Sequence, residues 1–125
     1  ESLAKVESRL PSVVAAATEG FTPEGGMIYE KMGDHIDGDR HWWVQAEAVV
    51  GYFNLWEHFG AHEGLENALH CWEYIKKELV DEKNGEWFWS VRADGSINRV
   101  EDKAGFWKCP YHNGRMCLEI IERVK

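Results

Sequence analysis

Four segments of this chain set apolar residues at helical spacing, and Gly, Asp, Asn or Pro clusters that a helix does not cross separate them. In the first, Leu3, Val6, Leu10, Val13, Val14 and Ala17 trace one stripe, which predicts a helix from about Ser2 to Thr18. Pro11 lies inside it, removes one backbone hydrogen bond and is expected to kink it, and Gly20 ends it. The second runs from His41 or Trp42 to Phe59, with Ala46, Val49, Val50, Phe53 and Trp56 on one face and Gly60 as its stop. The third spans about Gly64 to Leu79, with Leu65, Ala68, Leu69, Trp72, Ile75 and Leu79 in amphipathic register. The fourth covers about His112 to Val124 and should bury Met116, Ile120, Ile121 and Val124. Between the first two helices, MIYEK reads as a short extended piece among turns. Between the last two, the turn signals Asn84-Gly85 and Asp94-Gly95 bracket EWFWSVR, which predicts a hairpin or a pair of short strands. The fold class is therefore all-α, with small β elements in the loops.

At 125 residues the chain forms at most one domain, and its apolar fraction of 44% is enough for a real core. A net charge of −8, with no clustering of Lys and Arg, argues against a nucleic-acid partner. The seven tryptophans point instead to a neutral ligand. No apolar run approaches the roughly 20 residues of a membrane span, and no signal-peptide pattern is present. Cys71, Cys109 and Cys117 form no CxxC pair, which fits a reducing, cytoplasmic setting. Because the first residues already belong to a helical stripe and no initiator Met precedes them, the chain is expected to begin partway through a larger protein.

Candidate chemistry is concentrated at two helix starts. Trp43 and Glu47 are four residues apart, so an aromatic ring and a carboxylate share one face a turn apart. A carboxylate among Trp, Ala and Val is costly to bury without hydrogen-bond partners, and the alternative is a solvated Glu47. Trp107 and His112 form the second pairing, with Pro110 fixing the approach to the last helix. The free N–H groups of that helix start disfavour the imidazolium and favour a neutral base. Local sequence leaves open whether His112 is such a base or only an N-cap or carbonyl partner. His58 and His62 have the spacing of a metal pair but lack further ligands and read as surface residues. The Asp34–Asp39 run lacks calcium-loop spacing and reads as a solvated acidic loop, and Cys109, three residues before His112, is a weaker nucleophile candidate because two side chains so spaced at a helix entry need not meet. No phosphate loop, GxSxG or HExxH motif occurs, and neither a metal nor a cofactor is expected. Tryptophan faces stack on the C–H faces of a pyranose while Glu, Arg and His bond its hydroxyls, so the set suits a sugar.

HWWVQAEAVVGYFNLW, DEKNGEWFWSVRADG and FWKCPYHNGRM together resemble the C-terminal part of the N-acylglucosamine 2-epimerase family, and more closely its cellobiose 2-epimerase branch. The resemblance implies an (α/α)6 barrel, of which residues 1–125 would form the C-terminal portion of a single domain. It implies that Trp43 stacks on the sugar, that Glu47 holds substrate hydroxyls and orients the site, and that Trp107 also binds substrate. It makes His112 one of two acid/base histidines and Arg115 a support behind them. The family's second base, a histidine followed three residues later by a glutamate, has no counterpart here, and His35 and His41 lie in the wrong loop to replace it. The implied activity is inversion at C2 of a reducing-end aldose, in a mono- or disaccharide, without cofactor. An aldose–ketose isomerase of the same superfamily and a non-catalytic sugar-binding module are the competing readings. A third of a barrel would leave apolar faces unpaired, so the chain is also expected to associate with other chains or with the missing N-terminal portion.

Overall fold

A computed structural model of the protein describes residues 2–125. Helix α1 (Ser2–Thr18) runs unbroken through Pro11. None of its described residues is buried, and Leu3, Val6, Leu10 and Val13 stand exposed. It meets the rest of the chain at its C-terminal end, where Val14 packs on a small cluster of Met27, Tyr52, Phe53 and Ala68. There the Thr18 hydroxyl lies 2.9 Å from the Tyr52 hydroxyl. The apolar stripe forms its helix but finds no cover along most of its length.

Strands β1 (Glu30–Met32) and β2 (His35–Asp37) form an antiparallel hairpin pairing Glu30 with Asp37. Gly33 takes the left-handed conformation, φ 60°, that so tight a reversal demands. The extended piece thus lies slightly later than MIYEK, and part of the acidic run, though solvated, is strand. The short strand β3 (Arg40–His41) pairs with β4 (Ser90–Val91) rather than with a hairpin neighbour. The turns at Asn84-Gly85 and Asp94-Gly95 each close a local antiparallel bridge, Val80 with Trp87 and Val91 with Ile97, so EWFWSVR supplies one arm to each and its Ser90–Val91 end pairs with β3 as well.

Helix α2 (Trp42–Phe59) follows β3 directly and is the centre of the molecule. Its first N–H, on Trp42, donates to the Trp89 carbonyl at 3.0 Å, so the β3–β4 pairing also fixes where the helix starts. Trp42, Ala46, Val49, Val50 and Phe53 are buried along its inner face. Gln45 is buried beside them: its amide donates to the carbonyls of Met27 (2.8 Å) and His41 (3.0 Å), and its Oε1 accepts from the Met27 N–H (2.7 Å). Such pairing offsets the cost of burying an amide and ties the preceding loop to the helix. Gly60, at φ 67°, closes α2 by donating to the Trp56 carbonyl.

Helix α3 (His62–Tyr74) runs into a π-helical turn at Ile75–Leu79. It approaches α2 so closely that a Cβ on Gly64 would lie 2.7 Å from the Tyr52 carbonyl oxygen. Its buried face is Ala68, Cys71, Tyr74, Ile75 and Leu79, so Leu69, expected inside, is exposed. Helix α4 (Tyr111–Arg123) packs on α2 through Met116. Ile120 is partly covered, but Ile121 and Val124, expected in the core, are exposed. The reason is geometric: only one edge of each stripe faces α2, and the other edges of α3 and α4 line an open apolar groove of about 340 Å³. No helix among the described residues is long and apolar enough to cross a membrane.

Candidate active site

The starts of α2 and α4 meet. Glu47, one turn into α2, receives two hydrogen bonds from α4 on the same oxygen: Oε1 pairs with His112 Nδ1 at 2.7 Å and with Arg115 Nη2. Arg115 Nη1 also donates to Glu119 Oε1 at 2.8 Å, which holds the guanidinium along its own helix. Partial burial pushes the Glu47 carboxyl upward, but the bonds from Arg115 and His112 outweigh it and leave Glu47 below its ordinary value. The same carboxylate pushes Arg115 up. Glu47 is thus a partnered carboxylate, not a solvated one.

His112 is enclosed by rings. Trp42 and Tyr111 meet it edge-on at 5.4 and 5.0 Å between centroids, and Trp43 lies tilted at 5.7 Å. Trp43, about a third exposed, presents its ring beside the imidazole, and Tyr29 meets Trp43 edge-on at 6.2 Å. With Nδ1–H donated to Glu47, the neutral tautomer carries its lone pair on Nε2. A carboxylate that fixes the tautomer and a ring cage that fixes the plane leave Nε2 as the atom able to take and return a proton.

Trp107 does not join this group. It is 81% exposed on a turn closed by reciprocal backbone bonds between Gly105 and Lys108, and its ring contact is Phe106 at 4.9 Å. The structure therefore unites Trp43, Glu47, His112 and Arg115 and leaves Trp107 outside.

Behind the site lies a set of polar residues that the sequence did not single out. Lys108 is 2% exposed, and its Nζ donates to Glu86 Oε1 (3.0 Å), the Trp87 carbonyl (2.8 Å) and the Lys103 carbonyl (2.6 Å). Buried Asn113, next to His112, donates to the same Glu86 oxygen at 2.9 Å. Burial raises Glu86, but the Trp87 N–H and Lys108 outweigh it, so the carboxyl lies below its ordinary value. A lysine in a Gly- and Pro-bounded loop reads as solvated, so only the flanking WKCPYHN block marked this region.

His58 and His62 are exposed, as the surface reading expects, and no group of three or more metal-ligating side chains occurs among the described residues. All three cysteines are free; Cys71 is buried, which pushes its thiol up to about 12, whereas Cys109 is exposed.

Known proteins supply the class. The fold matches the structure of cellobiose 2-epimerase from Bacillus thermoamylovorans with a TM-score of 0.86 and 39% identity, over 94% of this chain and 30% of that one. The mostly helical fold is shared with that enzyme. The chain belongs to the N-acylglucosamine 2-epimerase (GlcNAc 2-epimerase) family, whose profile matches residues 11–114. It is 60% identical over 121 residues to a cellobiose 2-epimerase of Bacteroides fragilis, covering 95% of this chain and 31% of that protein. A cellobiose 2-epimerase of Ruminococcus albus is 46% identical over 101 residues, covering 80% of this chain and 26% of that protein. The chain thus spans about a third or less of the curated relatives it matches.

Proposed function

We propose that the protein carrying this chain is a sugar 2-epimerase that inverts C2 of a reducing-end aldose, with His112 as one of two acid/base groups. The observation that carries this reading is the Glu47 carboxylate bonded to both His112 Nδ1 and Arg115 beside the Trp43 ring. In the ring-opened sugar the C1 carbonyl acidifies the C2–H. A base takes that proton, and the electron pair of the C–H bond moves into a cis-enediolate. Return of a proton to the opposite face of C2, as the enediolate oxygen reforms the carbonyl, gives the 2-epimer. His112 Nε2 serves one face, and a second group outside this chain serves the other. Trp43 stacks on the sugar, Glu47 accepts from its hydroxyls, Arg115 fixes Glu47, and Trp107 reaches substrate from its turn.

Residues 1–125 are the C-terminal portion of an (α/α)6 barrel in this reading, in a cytoplasmic enzyme. The uncovered faces of α1, α3 and α4 contact the remainder of the protein or further subunits, which the exposure of Leu3, Val6, Ile121 and Val124 supports. A cellobiose-like disaccharide is the favoured substrate, because the 60% identical relative is a cellobiose 2-epimerase. The test is proton NMR in D2O of the full reading frame with cellobiose, N-acetylglucosamine and mannose in turn. Loss of the C2 signal with growth of a 2-epimer is the expected result for one of them. A ketose product would move the protein to aldose–ketose isomerisation, and no exchange with any of the three would leave a sugar-binding module.

A further inference from the structure

We infer that Lys108, with Glu86 and Asn113, is a positioning device that sets the imidazole of His112. The inference rests on the epimerase reading and adds residues to its machinery that touch neither sugar nor His112 Nε2.

Lys108 reaches His112 by two routes. Along the first, its Nζ bonds Glu86 Oε1, and that oxygen also accepts from Asn113 Nδ2. Asn113 follows His112 in the first turn of α4, so the bond fixes the rotation of the helix start that aims the imidazole. Along the second, the same ammonium stands 4.8 Å from the centroid of the Trp42 ring, and the ring of Trp42 meets His112 edge-on. A desolvated cation over an indole restrains its plane. One buried charge therefore braces His112 from the helix side and from the ring side at once.

Three features set this apart from ordinary loop packing. Replacing a buried ion pair with apolar residues is often neutral or stabilising, so stability alone is weak reason for the pair. Glu86 holds φ 63°, the left-handed region, and is the only non-glycine residue to do so among the described residues. Such a conformation persists where its surroundings over-determine it. Finally, Lys103, bonded to Asp81 Oδ2 at 2.6 Å and to the Gly85 carbonyl at 2.9 Å, ties the same loop to the same turn, and Lys108 Nζ joins that tie through the Lys103 carbonyl. What Lys108 adds beyond holding the loop is its reach to Asn113, through Glu86, and to the Trp42 ring.

The test compares the full-length parent with Lys108→Met/Glu86→Gln, which removes both charges together, and with Asn113→Ala, which cuts the tie to α4 but leaves the ion pair. For each, kcat and KM on the sugar that the parent epimerises are measured, together with the ¹⁵N spectrum of the His112 ring without substrate. The expected result is a fall in kcat of about 10- to 100-fold in the double variant. A smaller fall is expected in Asn113→Ala, with KM within about twofold and the His112 nitrogens shifting from one tautomer toward an average. A folded double variant with parental kcat overturns the inference. So does a loss confined to KM with an unchanged His112 spectrum, which would assign the network to the binding loop. If the double variant fails to fold, an Asn113→Ala enzyme with parental kcat and parental ring spectrum is the overturning result. A parent that exchanges no C2 proton removes the epimerase reading, while the ring spectra still decide whether the network sets His112.

Discussion

Helix α1 and the irregular segment from Val80 to Pro110 are held in opposite ways. The helix is a continuous 17-residue element, yet none of its described side chains is buried. The segment has almost no regular structure, yet Asp81, Trp87, Phe88, Ser90, Val91, Asn98 and Lys108 are all buried within it. What fastens it is charge and amide pairing: Lys103 on Asp81, Lys108 on Glu86, and Asn98 Nδ2 on Ser90 Oγ at 3.3 Å. Regularity and anchoring are separate properties, and the candidate site is built against the anchored part.

The strongest way to sharpen this contrast is at the site. In the full-length protein, His112→Ala should lower C2 proton exchange about 10²- to 10⁴-fold, the usual worth of a positioned acid/base group. Exchange that stays near the parental rate would remove His112 from the reaction. Next in size is the core beneath it: Met116, 2% exposed between α4 and α2, should cost about 2–5 kcal/mol when changed to Ala, read by urea denaturation.

Acid should attack the anchored segment before the helix. Bonds from Lys103 and Asn84 hold the Asp81 carboxyl well below the usual range, and Glu86 also lies low. A depressed carboxylate stabilises the fold above its unfolded value of about 4 and loses that contribution as pH falls through the folded value. Thermal melts at falling pH should therefore show the melting temperature dropping below about pH 4, with a shallower drop in Asp81→Asn. Identical acid profiles for the two proteins would count against the Lys103–Asp81 tie. The smallest effect belongs to α1: Val6→Ala should change the stability of this chain by about 0.5 kcal/mol or less. In the full-length protein, where the stripe is proposed to be covered, the cost should reach about 1–3 kcal/mol. Equal, small effects in both would break the proposal that α1 packs on the remainder.

The sequence was most readable where the physics is local. Helix spacing placed α2 and α4, Gly60 marked a stop, and the four-residue step from Trp43 to Glu47 set ring and carboxylate on one face. It was least readable where partners are distant. The β3–β4 pairing joins residues some 50 positions apart, so the turn signals showed the local arm that Ser90 and Val91 form across Asp94-Gly95 but not their second partner, Arg40–His41. An apolar stripe says that a face needs cover but not which chain supplies it, which is why Ile121 and Val124 were expected inside. Trp107 and His112 are close in sequence, but the tight Gly105–Lys108 turn sends the indole outward while α4 carries the imidazole in.

The two bonds to Glu47 converge on Oε1 and leave Oε2 with neither. In the proposed reaction one carboxylate would then divide its labour, one oxygen held by the histidine and arginine and the other left for a sugar hydroxyl. An amide cannot copy that division. In Glu47→Gln a carbonyl turned toward His112 and Arg115 presents an NH₂ to the sugar, and the reverse flip sets a donor against two donors. The loss of a single charge would thus become a loss of symmetry between two acceptors.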